Sequence, residues 1–99
     1  MLIHSVLFWL NDNLTEGDRS KFFSGVEKLG TIKSVEHSFI GTPANTVKRP
    51  VIDDTYDCAL TVVLQNMEQH DAYQLDPIHL DFIKNCAHLW QKVQIFDAD

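Results

Sequence analysis

Hydrophobic residues occupy almost every position from Leu2 to Leu10. A strand with one face in water alternates apolar and polar residues, so an unbroken apolar run predicts a strand that is covered on both faces. Ile3, Leu7 and Trp9 lie on one of these faces, and the even-numbered residues lie on the other. The rest of the fold must therefore supply a cover for each face of this strand.

Helical patterns follow the strand at three places along the chain. Thr15 followed by Asp18 predicts a capping box, and the apolar residues after it recur at helical spacing until Gly30. Two shorter helices are predicted further on, one capped by Asn66 and running through Tyr73 and Gln74, the other starting at Asp76 and Pro77 and ending near Trp90.

The remaining apolar and β-branched segments predict three more strands, at Ser34–Gly41, Tyr56–Leu64 and Lys92–Asp97. The resulting order is the ferredoxin-like βαββαβ arrangement of the α+β class, with a four-stranded antiparallel sheet and the helices on one face. Residues 1–99 are expected to form a single domain. Because the helices leave one face of the sheet bare, we expect a second copy of the chain to cover it in a symmetric homodimer.

Charge and composition exclude several classes of partner. Fourteen acidic and eight basic residues give a formal net charge of -6, which repels phosphate backbones and anionic lipid headgroups, so neither nucleic acid nor membrane is an expected partner. No apolar run approaches the roughly 20 residues of a membrane span, and the start of the chain lacks the basic segment of a signal peptide. Cys58 and Cys86 are far apart in apolar surroundings, which is typical of buried free thiols in a cytoplasmic protein.

The segment Thr42–Thr55 combines prolines with mixed charges, which predicts a long loop that serves as a pocket lid or as a partner-facing arm. Asp53, Asp54 and Asp57 near its end could hold a hard cation, although a solvated acidic turn is more common. No phosphate loop, nucleophilic serine motif or cofactor motif is present, and no pair of histidines has zinc-ligand spacing. We therefore expect no metal and no cofactor.

The segment YQLDPIHLDF, residues 73–82, contains the clearest candidates for chemistry. If Asp76 is the N-cap and Pro77 the first helical residue, the Asp76 carboxylate can accept a hydrogen bond from the backbone N–H of His79. At about 100° per residue, His79 falls on the inward stripe of its helix. Burial and the helix dipole favour a neutral imidazole there, whereas Asp76 and Asp81 oppose this, so the pattern leaves the sign of the net pKa shift open.

His4 lies on the same side of the first strand as Leu2, so its burial requires a hydrogen-bond partner or a cavity. Tyr73 could be that partner, or its phenol could donate to a bound carbonyl group and stabilise an enolate. The other histidines are expected to be solvated or at a rim: His37, His70 and His88. Inward histidines are more often hydrogen-bonded core residues than functional groups, so a filled core and a pocket lined by His4, Tyr73 and His79 both stay open.

Four segments, IHSVLFWL, TYDCALTVVL, YQLDPIHLDF and QIFD, resemble the Dabb family, the stress-responsive A/B-barrel domain, in order and over nearly the whole chain. The resemblance implies a dimeric α+β barrel of two ferredoxin-like protomers. Its olivetolic acid cyclase branch closes a linear polyketide by aldol chemistry without a cofactor, and the pocket residues of that branch correspond to His4, Tyr73 and His79. The chain departs from the family pattern at Thr55, where glycine is common, and at Asp76, where histidine is common.

Three hypotheses about function follow. The first is a homodimer of the Dabb type that binds a small apolar or aromatic, polyketide-like molecule between the sheet and the helices. The second is a cofactor-independent enzyme of the polyketide-cyclase kind, with His79 as base, Tyr73 as electrophile and His4 orienting the substrate. The third is a structural or interaction module with a filled core, and a pocket of roughly 300 Å³ or more would separate the binding hypothesis from this one.

Overall fold

The computed structural model describes residues 1–99 and has the element order predicted from the sequence. Its four strands are β1 (Leu2–Leu10), β2 (Val35–Gly41), β3 (Cys58–Leu64) and β4 (Trp90–Ala98), and its three helices are α1 (Glu16–Leu29), α2 (Met67–Leu75) and α3 (Pro77–Cys86), with a 3₁₀ turn at Ala87–Leu89. All neighbouring strands are antiparallel, in the order β2-β3-β1-β4. The predicted ferredoxin-like fold is confirmed.

The two faces of the central strand β1 differ in their cover. The even-numbered residues of β1 are buried beneath the helices, and His4 is the one polar residue among the buried residues of the chain. No helix covers the opposite face, where Ile3 is 38% exposed and Phe39 and Phe96 on the flanking strands are 63% and 57% exposed. The sheet therefore presents large apolar side chains to solvent on one side, as the unbroken apolar run predicted.

Side-chain caps fix where the first two helices begin. At α1, the hydroxyl of Thr15 accepts from the backbone N–H of Asp18 at 3.0 Å, and the Asp18 carboxylate accepts from the Thr15 N–H at 3.2 Å. At α2, the Asn66 side chain accepts from the backbone N–H of Gln69 at 2.9 Å. Both predicted caps are confirmed, and each sets which residues of its helix face the sheet.

Asp76 caps α3 as predicted, but through a different donor. Its carboxylate accepts from the backbone N–H of Ile78 at 2.9 Å, and not from that of His79. An N-cap side chain can accept a hydrogen bond from the backbone N–H of the second or the third helical residue. Here the Asp76 carboxylate accepts from the second. The prediction that His79 supplies the donor is therefore wrong, although Pro77 occupies the first helical position as expected.

The end of α3 and the start of β4 lie earlier than predicted. The helix ends at Cys86 and not near Trp90, which instead begins the strand and pairs with β1. Asn11 explains the difference, because its backbone N–H donates to the Leu89 carbonyl at 2.9 Å and its side-chain amide donates to the His88 carbonyl at 2.8 Å. These two hydrogen bonds draw the chain against the end of β1.

Helices α1 and α3 approach each other closely at Gly25. A Cβ atom at this position would lie 2.9 Å from Cδ1 of Phe82 and 3.3 Å from Sγ of Cys86.

Cys86 and Cys58 are buried and free, as predicted, and burial raises the pKa of Cys58 to about 12. None of the helices combines the length and the apolar character that a membrane span requires.

Candidate functional site

A cavity of about 140 Å³ lies between the sheet and helices α2 and α3. His4, Tyr73 and His79, which come from β1, α2 and α3, all line it. Ten of its thirteen lining residues are hydrophobic, Tyr73 among them, and the other three are His4, Gln74 and His79. The polar groups of the site therefore face a mostly apolar space. The fold thus brings the three sequence-predicted residues together around one cavity.

The cavity opens beside the edge strand β4. Ile83 of α3 and Val93 and Ile95 of β4 line it and are 41%, 41% and 50% exposed. No residue of the loop 42–55 lines the cavity, so within one chain this loop is not the lid that the sequence suggested. The mouth is therefore apolar, and the hydrogen-bonding groups lie deeper inside.

His4 has a hydrogen-bond partner that the sequence did not reveal. Its Nδ1 atom lies 2.5 Å from the Oδ1 atom of Asp97, and the two residues are direct partners across β1 and β4. The His4 side chain is 3% exposed, whereas that of Asp97 is 43% exposed. Tyr73 contacts His4 differently, with the two rings edge to face and their centroids 5.7 Å apart. Asp97 therefore satisfies one nitrogen of the buried imidazole, as burial requires.

Tyr73 is 1% exposed, and its ring packs edge to face against the rings of both His4 and His79. The Tyr73 and His79 centroids are 5.0 Å apart, again edge to face. Burial raises the pKa of Tyr73 well above its ordinary value, so the phenol keeps its proton. Burial is the only cause of this pKa shift, and no hydrogen bond to the phenol contributes to it, so the hydroxyl can donate to a bound molecule.

His79 carries an unpaired polar atom inside the protein. Its Nδ1 atom is buried and has no hydrogen-bond partner. Burial lowers the pKa of His79, and His4 and His70 lower it further, while the Asp76 carboxylate opposes them. The net direction is downward, so the imidazole is neutral at pH 7 and offers a nitrogen lone pair. The sign that the sequence pattern left open is therefore determined by burial.

His70 and Asp97 belong to the same region, and sequence reasoning missed both. The sequence pattern predicts a solvated or rim position for His70, and its side chain is 17% exposed, with its ring centroid 5.3 Å from that of His4. Its spacing of three from Tyr73 places both on one face of α2, and this spacing could have revealed it. Asp97 had no such signal, because its position depends on the register between β1 and β4.

A second, larger space lies on the outer side of the helices. It is an open groove of about 310 Å³ between α1 and α3, and Lys21, Lys28 and Asp81 are among its lining residues. It contains no histidine and no tyrosine. The smaller cavity remains the candidate site, because only there do buried groups capable of proton transfer converge.

The acidic residues after the long loop do not converge on a common point. The Asp53 carboxylate accepts from the Thr55 hydroxyl at 2.6 Å, and Asp54 pairs with Lys48. Asp57 accepts from the backbone N–H of Leu10 at 2.7 Å. Each carboxylate has its own protein partner, so these residues form structural contacts and not a cation site.

Comparison with known proteins identifies the family. The family model described as the stress responsive A/B barrel domain, Dabb, matches residues 2–99. No curated protein matches the chain.

Several solved structures share the fold. A Dabb family protein from Mesorhizobium loti is 20% identical with a TM-score of 0.79, over 99% of this chain and 94% of that chain. A dimeric ferredoxin-like protein of unknown function from Thermobifida fusca is 20% identical with a TM-score of 0.78, over 98% and 88%. A hydroxynitrile lyase from Passiflora edulis is 14% identical with a TM-score of 0.81, over 98% and 90%. These identities establish the fold, and the family match over residues 2–99 shows that the chain belongs to the Dabb family.

Proposed function

We propose that this chain is a homodimeric protein that binds a small aromatic or apolar carbonyl compound in the cavity beside Tyr73 and His79. The observation that carries the proposal is the buried, unpaired Nδ1 atom of His79, on a ring whose centroid lies 5.0 Å from that of Tyr73. Leaving a polar group unpaired in a protein interior costs about 1–3 kcal/mol. A ligand that pairs with it recovers part of this free energy.

The size and walls of the cavity define the ligand class. A volume of about 140 Å³ does not reach the roughly 300 Å³ that was set above as the criterion for an ordinary ligand pocket, so the ligand has to be small. The volume is close to the ~150 Å³ of an apolar cavity that accepts benzene. One ring with a small substituent therefore fits inside. A longer molecule would extend through the apolar mouth at Ile83, Val93 and Ile95.

Chemical complementarity within the cavity favours a carbonyl or phenol group. The Tyr73 hydroxyl can donate to a carbonyl oxygen, and the neutral His79 imidazole can accept from a hydroxyl group. A charged ligand is disfavoured, because most of the wall is hydrophobic and no lysine or arginine lines the cavity. This favours a neutral molecule with one polar end.

The homodimer follows from the uncovered face of the sheet. Ile3, Phe39 and Phe96 are exposed there on β1, β2 and β4, and contiguous exposed apolar patches of this kind mark association sites. A second copy presents the same surface, so a two-fold dimer covers both faces at once. The structural neighbour from Thermobifida fusca is described as dimeric, which supports this arrangement.

A binding experiment tests the proposal with probes of matched size. Acetophenone and toluene are titrated into protein without a purification tag, in buffer with a chelator, and backbone amide NMR shifts are recorded. Acetophenone is expected to bind the wild type more tightly than toluene, because its carbonyl oxygen accepts from the Tyr73 hydroxyl, and Tyr73→Phe should remove this difference. His88→Gln, an exposed histidine outside the cavity, is the matched control. Equal binding of both probes in all variants, or no saturable shift around the cavity, would refute the proposal.

A second candidate function is cofactor-independent enolisation, of the kind that a polyketide cyclase uses. In this reaction His79 takes a proton from the carbon next to a carbonyl group, the C–H electron pair becomes the enolate double bond, and Tyr73 donates a hydrogen bond to the oxygen. The lowered pKa of His79 and the protonated phenol of Tyr73 favour these roles. The hydroxynitrile lyase from Passiflora edulis has the same fold, so this architecture can support an enzyme.

Hydrogen–deuterium exchange separates the enzyme from the binding protein. The methyl protons of acetophenone are followed by NMR in D₂O with the wild type, His79→Gln and His88→Gln. An enzyme accelerates the exchange beyond an equal concentration of free imidazole, and this acceleration disappears only in His79→Gln. Tight binding without acceleration would leave binding as the function and exclude enolisation of this probe.

A further inference from the structure

One cluster of metal-ligating side chains borders the cavity and shares only His4 with its lining. His4, His70 and Asp97 each offer one ligand atom, and these atoms all lie within 4.8 Å of one another. We propose that this cluster binds one divalent transition metal ion of the zinc type. The cluster contains neither Tyr73 nor His79, the two residues that the proposed ligand contacts, so the two proposals can be tested separately although His4 also lines the cavity.

Three different elements hold the cluster in place. His4 and Asp97 are register partners on β1 and β4, so the sheet fixes their separation. His70 lies in the first turn of α2, where its backbone N–H donates to the carbonyl of Asn66 at 3.0 Å, and Asn66 also caps that helix. The cap therefore sets the rotation of α2 that places the His70 ring against His4, with centroids 5.3 Å apart.

The donor set indicates the class of ion. Two imidazoles and one carboxylate are the protein ligands of mononuclear zinc sites that keep a fourth position open, and of non-haem iron(II) sites. Magnesium and calcium prefer oxygen donors, so they are poor occupants. Water or a ligand atom would complete the coordination shell at the half-exposed Asp97 side chain.

The geometry requires only a small adjustment. Ligand atoms at about 2.0–2.1 Å from a tetrahedral ion lie roughly 3.3 Å apart, compared with a largest separation of up to 4.8 Å here. The Asp97 side chain, 43% exposed on an edge strand, has room to turn. His70 is already oriented, because its Nδ1 atom lies 3.2 Å from the Asp71 carboxylate. A carboxylate bonded to one ring nitrogen leaves the other nitrogen free for a metal.

The charges around the cluster also favour a cation. None of the three residues forms an ion pair with lysine or arginine, and Asp71 adds a second carboxylate beside His70. With the formal charge of -6 of the whole chain, the local field attracts divalent ions. The sequence could not indicate such a site, because the three residues are brought together only by tertiary structure.

Isothermal titration calorimetry tests the proposal with Zn²⁺, and with Mg²⁺ as the control ion, on chelator-treated full-length protein without a purification tag. The wild type should bind one Zn²⁺ per chain and show no Mg²⁺ binding under the same conditions. His70→Gln should weaken Zn²⁺ binding at least tenfold, while His37→Gln, an exposed histidine on β2, should leave it unchanged. Binding that both variants weaken equally, or no Zn²⁺ binding to the wild type, would overturn the proposal.

A second measurement on the wild type alone keeps the test valid if His70→Gln fails to fold. Co²⁺ is added in place of Zn²⁺, and imidazole proton resonances are followed by NMR. Paramagnetic shifts of His4 and His70, with His37 and His88 unaffected, support the site. Shifts at His37 or His88 in place of the cluster would contradict it. Ligand assays in chelator buffer remain independent of either result.

Discussion

The imidazole of His4 and the carboxylate of Asp97 face each other across strands β1 and β4, with Nδ1 and Oδ1 2.5 Å apart. His4 is almost completely buried, so the Asp97 carboxylate supplies the hydrogen-bond partner that its Nδ1 atom requires. The two residues are 93 positions apart in the chain. Their contact therefore links the first strand to the last one beside the candidate site.

Replacing Asp97 by alanine is expected to destabilise the fold. The change leaves a buried imidazole nitrogen unpaired, which costs about 1–3 kcal/mol, and the lower half of this range applies because Asp97 is 43% exposed. Asp97→Asn keeps an acceptor and should cost less. Urea unfolding in chelator buffer measures both, with Asp12→Asn at an exposed turn as the control. Equal free energies of unfolding for Asp97→Ala and wild type would show that the hydrogen bond does not stabilise the fold.

Much of the fold could be predicted because it depends on local rules. The capping box at Thr15, the Asn66 cap and the Asp76-Pro77 helix start each use neighbouring residues, and the structure contains all three caps. The end of α3 could not be predicted in this way. It is set by hydrogen bonds from Asn11, more than 70 residues away in the chain, and no local pattern encodes such a contact.

The candidate site was predictable in part for the same reason. Helical periodicity indicated that His79 faces inward, and alternation along β1 placed His4 on the buried face. His70 and Asp97 were missed. The position of His70 depends on how α2 crosses the sheet, and that of Asp97 depends on the register between β1 and β4. The size of the cavity depends on packing among all these elements and has no sequence signal.

Lowering the pH should destabilise the protein partly through His79. Its pKa is lowered in the folded state, so the unfolded chain binds a proton first as the pH falls below the ordinary value of 6.5. The stabilising contribution is therefore complete above pH 6.5 and is lost as the pH falls through the folded-state pKa. One proton accounts for at most about 1.4 kcal/mol per pH unit, and less here because His79 is partly exposed.

Thermal unfolding between about pH 5 and pH 8, which brackets the ordinary histidine pKa, measures this contribution. His79→Gln should show a shallower loss of Tm on acidification than the wild type, whereas His88→Gln should follow the wild-type curve. If all three curves are parallel, protonation of His79 does not contribute to the acid sensitivity of the fold.

Tyr73→Phe should separate stability from binding. Burial, and no hydrogen bond, shifts the pKa of Tyr73, so the removal of its hydroxyl should change the free energy of unfolding by less than about 1 kcal/mol. The same change should weaken acetophenone binding about tenfold, since one hydrogen bond to the ligand is lost. Tyr73→Ala, by contrast, removes a buried ring and should cost about 3–5 kcal/mol of stability. Urea unfolding and NMR titration report the two effects, and a large stability loss in Tyr73→Phe would contradict this assignment.

Charging the bare face of the sheet should produce a monomer. Phe39→Glu and Phe96→Glu place carboxylates on surfaces that are 63% and 57% exposed in one chain, so each protomer should still fold. In the proposed homodimer the same positions are buried, where an unpaired charge is strongly unfavourable. Light scattering after size-exclusion chromatography should show half the wild-type mass, whereas Leu80→Glu on the outer side of α3 should remain dimeric. A monomeric wild type would exclude the homodimer.

Gly25→Ala should destabilise the protein although alanine is the better helix former. In an isolated helix the change gains up to about 1 kcal/mol, but here the added Cβ would lie 2.9 Å from the ring of Phe82. Phe82 is 6% exposed and its ring stacks on Trp90 with the centroids 5.6 Å apart, which limits its movement, and overpacking typically costs about 1–3 kcal/mol. Gly17→Ala is the matched control in the same helix, since its Cβ would meet only the Thr15 hydroxyl oxygen at 3.7 Å. Urea unfolding should show a loss of stability at Gly25 and none at Gly17. A gain at both positions would mean that α1 and α3 can separate slightly without loss of packing.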